Sequence, residues 1–330
     1  MSITLVLGAG ASRGVSYARA SDIPSPLDRD FFDLLQRLRP QEKDEPFVQS
    51  TLLWVKRLPR EYWRSMERAF YTLHLRSYIS GKLNAPLPGQ SAPQSDADVV
   101  HAFVNATGAL LRSAHRKKTC EFHVKLLERL GTEDAIVSFN YDLVPERALK
   151  ALSQLNAVPF GGWLYGFEPQ PLEWTGPTIA KMHGSFNWEM RAKKEKNAFP
   201  VRTSSWNDLE ETPGVLRYLQ SGTDYPIFLP FWDKRIELNP WIYIWRMGFE
   251  KLKAADSVIV WGYSLPASDV KASLVFQLAL GRRELNLCVI DPSVSTRDRW
   301  RALCPNAKFW EFDYIEEFFA VNPHWWRERG

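Results

Sequence analysis

Five short apolar runs, each breaking off into small or polar residues, constrain this 330-residue chain more than any other feature. Ile3 to Leu7 ends in Gly8-Ala-Gly-Ala-Ser12, Ala135 to Phe139 in Asn140-Tyr-Asp142, and Thr178 to Met182 in His183-Gly-Ser185. Ser257 to Trp261 ends in Gly262-Tyr-Ser264, and Leu285 to Ile290 in Asp291-Pro-Ser293. Runs of this kind read as strands buried on both faces, the habit of parallel sheets. In an open parallel sheet the carboxyl ends of the strands share one edge, and ligands bind in the crevice there. All five polar tips are therefore expected to face one site, and the expected fold class is α/β with a Rossmann-like parallel sheet.

The first run is separated from the second by a long stretch with helical spacing. Arg13 to Asp30, with Ile23-Pro-Ser-Pro-Leu-Asp28, reads as an irregular loop over the mouth of the site. Helices are expected from Phe31 to Leu38, over most of Phe47 to Ser80, and from Val99 to Leu130, with a loop from Gly81 to Asp96. This divides the chain into residues 1–30 with 131–330, carrying the sheet, and a helical insertion or layer over residues 31–130. Later, Phe160 to Phe167 suggests a hairpin or an ordered loop, and Asn187 to Thr212 a polar excursion. Pro240 to Ala255 is an amphipathic helix with an aromatic stripe; Ser268 or Asp269 caps a helix that stops at Gly281.

Composition excludes several classes of function. Lys and Arg number 42 against 38 Asp and Glu, a net charge of +4, too little to argue for nucleic acid. The basic run Arg112 to Lys118 reads as a solvated helix face. Cys120, Cys288 and Cys304 are far apart and show no C-x-x-C spacing, so the cysteines provide neither a disulfide framework nor a thiolate zinc site. His74, His101, His115 and His123 fall in the helical stretch without ligand spacing, as packing or surface residues. With no run of about 18 apolar residues and no targeting motif, the chain reads as a cytoplasmic protein.

The turn Gly8-Ala-Gly-Ala-Ser12 lacks side-chain bulk, so its backbone is expected to take positive φ at the glycines and to turn free N–H groups toward an anion. An ordinary strand-to-helix turn would look the same. A dehydrogenase-type site needs G-x-G-x-x-G and an acid about 20 residues on. Here the sixth position is Arg13, and Asp28 and Asp30 follow no strand, which weakens an NAD oxidoreductase.

In order, Gly8-Ala-Gly-Ala-Ser12, Phe139-Asn-Tyr-Asp142, His183-Gly-Ser185 and Gly262-Tyr-Ser-Leu-Pro266 with Asp269 resemble the sirtuin fold. The closer resemblance is to the bacterial sirtuin-like NAD hydrolases of antiphage defence. It covers roughly residues 1–20 and 135–295. The resemblance implies that Gly8, Ala9, Gly10, Ala11 and Ser12 form a pyrophosphate loop, that Asn140 holds the nicotinamide ribose or an attacking water, that Asp142 lies near the carboxamide, and that His183 is the catalytic histidine. It places Gly262 and Ser264 along the adenosine and Asp291, by position, at a ribose hydroxyl. Each residue also has a structural reading: a turn or cap for Asn140, a satisfied strand-end histidine for His183, and a cap after the last strand for Asp291.

The chemistry agrees with those implied roles. Cleavage between ribose and a cationic nicotinamide releases a neutral leaving group, so the carboxylate pair of a glycosidase is unnecessary. Positioning by an amide and one base of near-neutral pKa suffice, and Asn140 and His183 supply them. Protein-deacylating sirtuins carry a zinc module held by four cysteines after the histidine; no cysteine lies between His183 and Gly262, so no zinc is expected and a protein deacylase becomes the lesser alternative. A sensor that binds NAD or ADP-ribose without turnover is the other alternative. The expectation is an NAD hydrolase, NAD being its substrate, gated by homo-oligomerisation or by an activating partner such as an ATPase.

Overall fold

Residues buried on every side need neighbours on both edges, and Ile3–Leu7 (β1) has them. The structure is a computed structural model, which describes residues 1–85, 96–152, 161–190, 201–203, 210–211, 227, 236 and 241–327. From β1 the chain runs through α1 (Ala9–Arg13), α2 (Phe31–Arg37), α3 (Glu45–Val55), α4 (Met66–Leu83), α5 (Asp96–His115) and α6 (Glu121–Leu127). It re-enters the sheet as β2 (Ala135–Ser138), then forms α7 (Val144–Ala151) and β3 (Thr178–Lys181). A two-stranded antiparallel ribbon, β4 (Trp188–Met190) with β5 (Val201–Thr203), precedes α8 (Trp241–Ala254), β6 (Ser257–Trp261) and α9 (Val270–Leu280). β7 (Asn286–Ile290), α10 (Val294–Leu303), β8 (Lys308–Phe312), α11 (Ile315–Val321) and α12 (His324–Arg327) complete the described chain.

The main sheet has six strands in the order β3-β2-β1-β6-β7-β8, and every pair is parallel. β1 lies in the middle, with Leu5 opposite both Ile136 and Ile259. Two aspartates tie its start: Asp134 accepts from the Ile3 N–H at 2.7 Å and Asp256 from the Ser2 N–H at 2.7 Å. The chain leaves β1 toward β2 and β3 on one side and resumes on the other at β6. That reversal between β1 and β6 is where doubly wound sheets bind ligands, outside the carboxyl ends of the strands. The expectation of a Rossmann-like α/β sheet with five polar tips on one edge therefore holds.

The sequence reading missed β8, the outermost strand. Lys308 and Glu311 are exposed, Phe309 and Trp310 half-buried, and only Phe312 is buried, so no continuous apolar run marks it. The polar tip after β7 consequently does not end the last strand.

The helical stretch encloses a second core. Phe31, Phe32, Leu35, Val48, Val55, Phe70, Phe103 and Leu110 are buried together, and Phe186 from just beyond β3 joins them. Leu126 and Leu127 of α6 belong instead to the core of the main sheet. Two expectations in this stretch are corrected. Gly81 lies inside α4, which runs to Leu83. The basic run is only partly solvated: Arg112 is buried in an ion pair with Asp44 at 2.6 Å, and buried His115 meets the Tyr17 hydroxyl at 2.9 Å. Both face inward on α5, while Arg116 and Lys117 are exposed.

Farther along, Gly162–Tyr165 is a 3-10 turn, an ordered loop at that point. Most of the polar excursion after Asn187 lies outside the described residues. Glu211, within it, is buried and bound in two hydrogen bonds by Arg147, each 2.7 Å. Cys120, Cys288 and Cys304 are buried and unbridged. Among the described residues no helix is long and apolar enough to cross a membrane.

Candidate active site at the strand ends

The turn after β1 and the turn after β6 are locked together through their backbones. Gly8 N–H donates to the Trp261 carbonyl at 3.1 Å and Gly10 N–H to the Gly262 carbonyl at 2.9 Å. A Cβ on Gly8 would stand 2.4 Å from the Gly262 oxygen, and one on Gly10 2.6 Å from the Gly262 Cα. Gly262 itself has φ +64, and its Cβ would stand 2.2 Å from the Ala11 nitrogen. These glycines are required because two turns meet at van der Waals distance, closer than any side chain allows.

This corrects the expectation of free amides. Gly8 has an extended φ of −119, and Gly10 is not among the positive-φ residues. The N–H groups of Gly10 and Ala11 are already bonded, to Gly262 and to Gly8. Ala11 and Ser12 are buried, so the reachable part of the turn is Ala9 and Gly10.

Ser12 serves a different purpose from the expected anion contact. Its hydroxyl donates to Asp142 Oδ2 at 2.5 Å and accepts from Asn140 Nδ2 at 2.9 Å. The same Asn140 nitrogen donates to the Gly8 carbonyl at 2.8 Å. Asp142 Oδ1 accepts from the N–H of Val144 at 3.1 Å, at the start of α7, and the buried Lys181 ammonium donates to the Asp142 carbonyl. Burial alone would raise the Asp142 carboxyl, yet it is held below its ordinary value. The attraction of His115 counts only when that imidazole is protonated, and burial depresses it, so at neutral pH Lys181 and the two hydrogen bonds keep Asp142 ionised. Behind this knot Lys181 lies 3.4 Å from Glu146, which also accepts from the Tyr165 hydroxyl at 3.0 Å. Burial pushes the Glu146 carboxyl up despite Lys181.

His183 follows β3 on the same edge. Its Nε2 lies 3.0 Å from Asp269 Oδ2, its ring stands nearly perpendicular to that of Phe139 at 5.1 Å, and Tyr141 flanks it at 6.3 Å. Asp269 is the N-cap of α9, as expected of it, accepting from the Ala272 N–H at 3.4 Å. It also accepts from the Tyr263 hydroxyl at 3.0 Å. The pairing with His183 went unseen in the sequence, because nothing in the spacing of the two residues reports that the β6 turn reaches across to β3. From the helical layer, Glu67 at the start of α4 accepts a hydrogen bond from Ser268, beside Asp269.

On the other side of the switch point, Arg299 donates twice to the Ser264 carbonyl, at 3.0 and 2.8 Å, and ties the turn Gly262 to Leu265 to α10. Leu265 sits at φ +49, a conformation that costs a branched residue about 1 kcal/mol and persists only where its surroundings impose it. Asp291 follows β7, accepts from the Ser293 N–H at 2.9 Å, and is half-buried, which raises its carboxyl. It therefore makes the local turn of its structural reading while standing at the strand end that its other reading requires.

The structure thus brings Ala9, Gly10, Asn140, Asp142 and His183 to the carboxyl ends of β1, β2 and β3, with Gly262, Ser264 and Asp291 continuing the edge across the switch point. The arrangement offers a side-chain amide, an imidazole paired to a carboxylate, and a turn free of bulk. Among the described residues no group of three or more His, Cys, Asp or Glu side chains is placed to hold a metal ion.

No family model matches the chain, and no curated protein is significantly similar to it in sequence. Among solved structures it is similar to a Sir2 homologue in complex with NAD, at 16% identity over 99% of this chain and 90% of that one, with a TM-score of 0.42. A mutant Sir2 homologue in complex with ADP-ribose matches at 14% identity over 99% and 92%, with a TM-score of 0.41. Sir2Tm bound to a propionylated peptide matches at 14% identity over 98% and 92%, with a TM-score of 0.37.

Proposed function

We propose that the chain is a sirtuin-like NAD hydrolase, which breaks the bond between nicotinamide and ribose to give nicotinamide and ADP-ribose. The observation that carries this reading is the meeting of Asn140, His183 and the Ala9–Gly10 turn at the ends of adjacent parallel strands, beside the switch point between β1 and β6. NAD would lie across that edge. Its pyrophosphate passes over the turn from Gly8 to Ser12, its adenosine runs toward Gly262, Ser264 and Asp291, and its nicotinamide ribose reaches Asn140 and His183.

In the reaction the bond between ribose C1′ and the nicotinamide nitrogen breaks, and its electron pair leaves with neutral nicotinamide. Water adds to C1′ and gives up a proton. With the Asn140 amide nitrogen spent on Gly8 and Ser12, its carbonyl oxygen is the atom that orients the water or a ribose hydroxyl by accepting a hydrogen bond. His183 takes the proton. Asp142 acts from behind, fixing Ser12 and through it the Asn140 amide. Uncontrolled hydrolysis would drain a cell of NAD, so gating by self-association or by a partner belongs to the same proposal, as does a role in antiphage defence.

The test is to incubate the purified protein with NAD and resolve the products by chromatography, with Asn140→Ala and His183→Ala in parallel. Nicotinamide and ADP-ribose from the wild type alone are expected. Intact NAD recovered bound to the protein at every protein concentration would replace the hydrolase with a binding module.

A further inference from the structure

Both oxygens of the Asp269 carboxylate are engaged. Oδ1 accepts from the Ala272 N–H, while Oδ2 accepts from the Tyr263 hydroxyl and lies 3.0 Å from His183 Nε2. Asp269 is buried, at 3% exposure, and so is Tyr263, whose ring stacks on Phe139 at 4.0 Å while Phe139 stands nearly perpendicular to His183. The acid, the phenol and the imidazole are thus fixed in one packed unit. Burial first, and Asp269 second, push the Tyr263 phenol up, so it stays protonated and donates. An ionised carboxylate can only accept, so the proton of a neutral His183 sits on Nε2, and Nδ1 is the nitrogen with a lone pair for a second proton.

We propose that Asp269 is a positioning residue for the hydrolysis, fixing the His183 tautomer so that Nδ1 is the basic atom and stabilising the imidazolium that forms when the water proton arrives. This rests on the reading of His183 as the base. It gives the residue that caps α9 a part in the chemistry. A further charged group near the unit is Glu67 of α4, which binds Ser268 and contributes to the raised phenols of Tyr141 and Tyr263. Asp269 is the carboxylate that lies 3.0 Å from the ring nitrogen.

Asp269→Asn separates the two duties. An asparagine retains an oxygen for the Ala272 N–H, and asparagine caps helices as well as aspartate does. Its amide group replaces the oxygen facing His183 and donates to Nε2, which moves the imidazole proton to Nδ1. The comparable change in a serine-protease triad costs about 10⁴-fold in kcat. Here a fall of roughly 100-fold or more in kcat is expected, with KM for NAD and the thermal midpoint little changed. The direct readout is the ¹⁵N imidazole spectrum, with the His183 signals assigned by their loss in His183→Gln. Protonation at Nε2 in the wild type and at Nδ1 in Asp269→Asn is expected. The same tautomer in both proteins overturns the proposal, whether or not NAD is turned over. Loss of turnover in His183→Ala with full turnover in Asp269→Asn would also overturn it while leaving the hydrolase reading intact.

Discussion

The Asn140 side-chain nitrogen donates to the Gly8 carbonyl across 2.8 Å, so a residue at the end of β2 holds the turn at the end of β1. One amide therefore joins the two strand ends on which the proposed chemistry depends. Asn140→Asp keeps the volume but loses the donor, and sets a second carboxylate beside Ser12 and Asp142. Turnover of NAD should disappear, and the protein should lose about 1–3 kcal/mol for the two buried hydrogen bonds given up, read as a lower midpoint in urea.

The interlock of the two glycine turns gives a second prediction. Gly262→Ala adds a Cβ at φ +64 and at 2.2 Å from a backbone nitrogen, where no flexible side chain can yield. The turns must separate, and the hydrogen bond from Gly10 to Gly262 must break. A loss of about 3 kcal/mol or more is expected from strain and the broken bond together, measured by denaturation. Gly81→Ala, inside α4 where nothing lies within 4 Å of the added Cβ, should be far milder.

His123 makes stability depend on pH. It is buried against the Trp261 ring at 4.5 Å, neither ring nitrogen has a hydrogen-bond partner among the described residues, and burial lowers its pKa from 6.5 to about 3. A histidine depressed in the folded state binds its proton more readily when unfolded, so its contribution is complete above pH 6.5 and drains away as pH falls toward 3. At pH 5 the loss is about 2 kcal/mol. His123→Phe should flatten the stability curve between pH 7 and pH 5 in urea titrations; a curve as steep as the wild type's would show that the acid loss arises elsewhere.

The parts of the fold legible in the sequence are those where burial acts on consecutive residues. β1, β2, β3, β6 and β7 are covered on both faces and so appear as unbroken apolar runs, whereas β8, half-exposed at the edge, keeps Lys308 and Glu311 and leaves no run to find. Strand-end residues were legible for the same reason: once the strands are parallel, Asn140, His183 and Asp291 must share an edge. Contacts between tips were not. The spacing of Gly8 and Gly10 pointed to a ligand, but what crowds them is the backbone of Gly262. Ser12 suggested an anion contact, and its hydroxyl is spent on Asp142 and Asn140. Arg112 and His115 sat in what looked like a charged face because helical phase, not composition, decides which cations of such a run turn inward.

The central place of β1 sets a schedule for making the protein. Its first residues are bound by Asp134, 131 positions later, and by Asp256, 254 positions from Ser2. During synthesis the chain emerges amino end first, so β1 is delivered long before its partners β2 and β6. One whole edge of β1 stays unpaired until Ser257–Trp261 has been translated, and closing contacts over such separations is slow. A chain broken off before that point carries the glycine turn and Asn140 but only one wall of the crevice. Premature fragments are therefore without a site, and their apolar first strand is open to the cell's quality control.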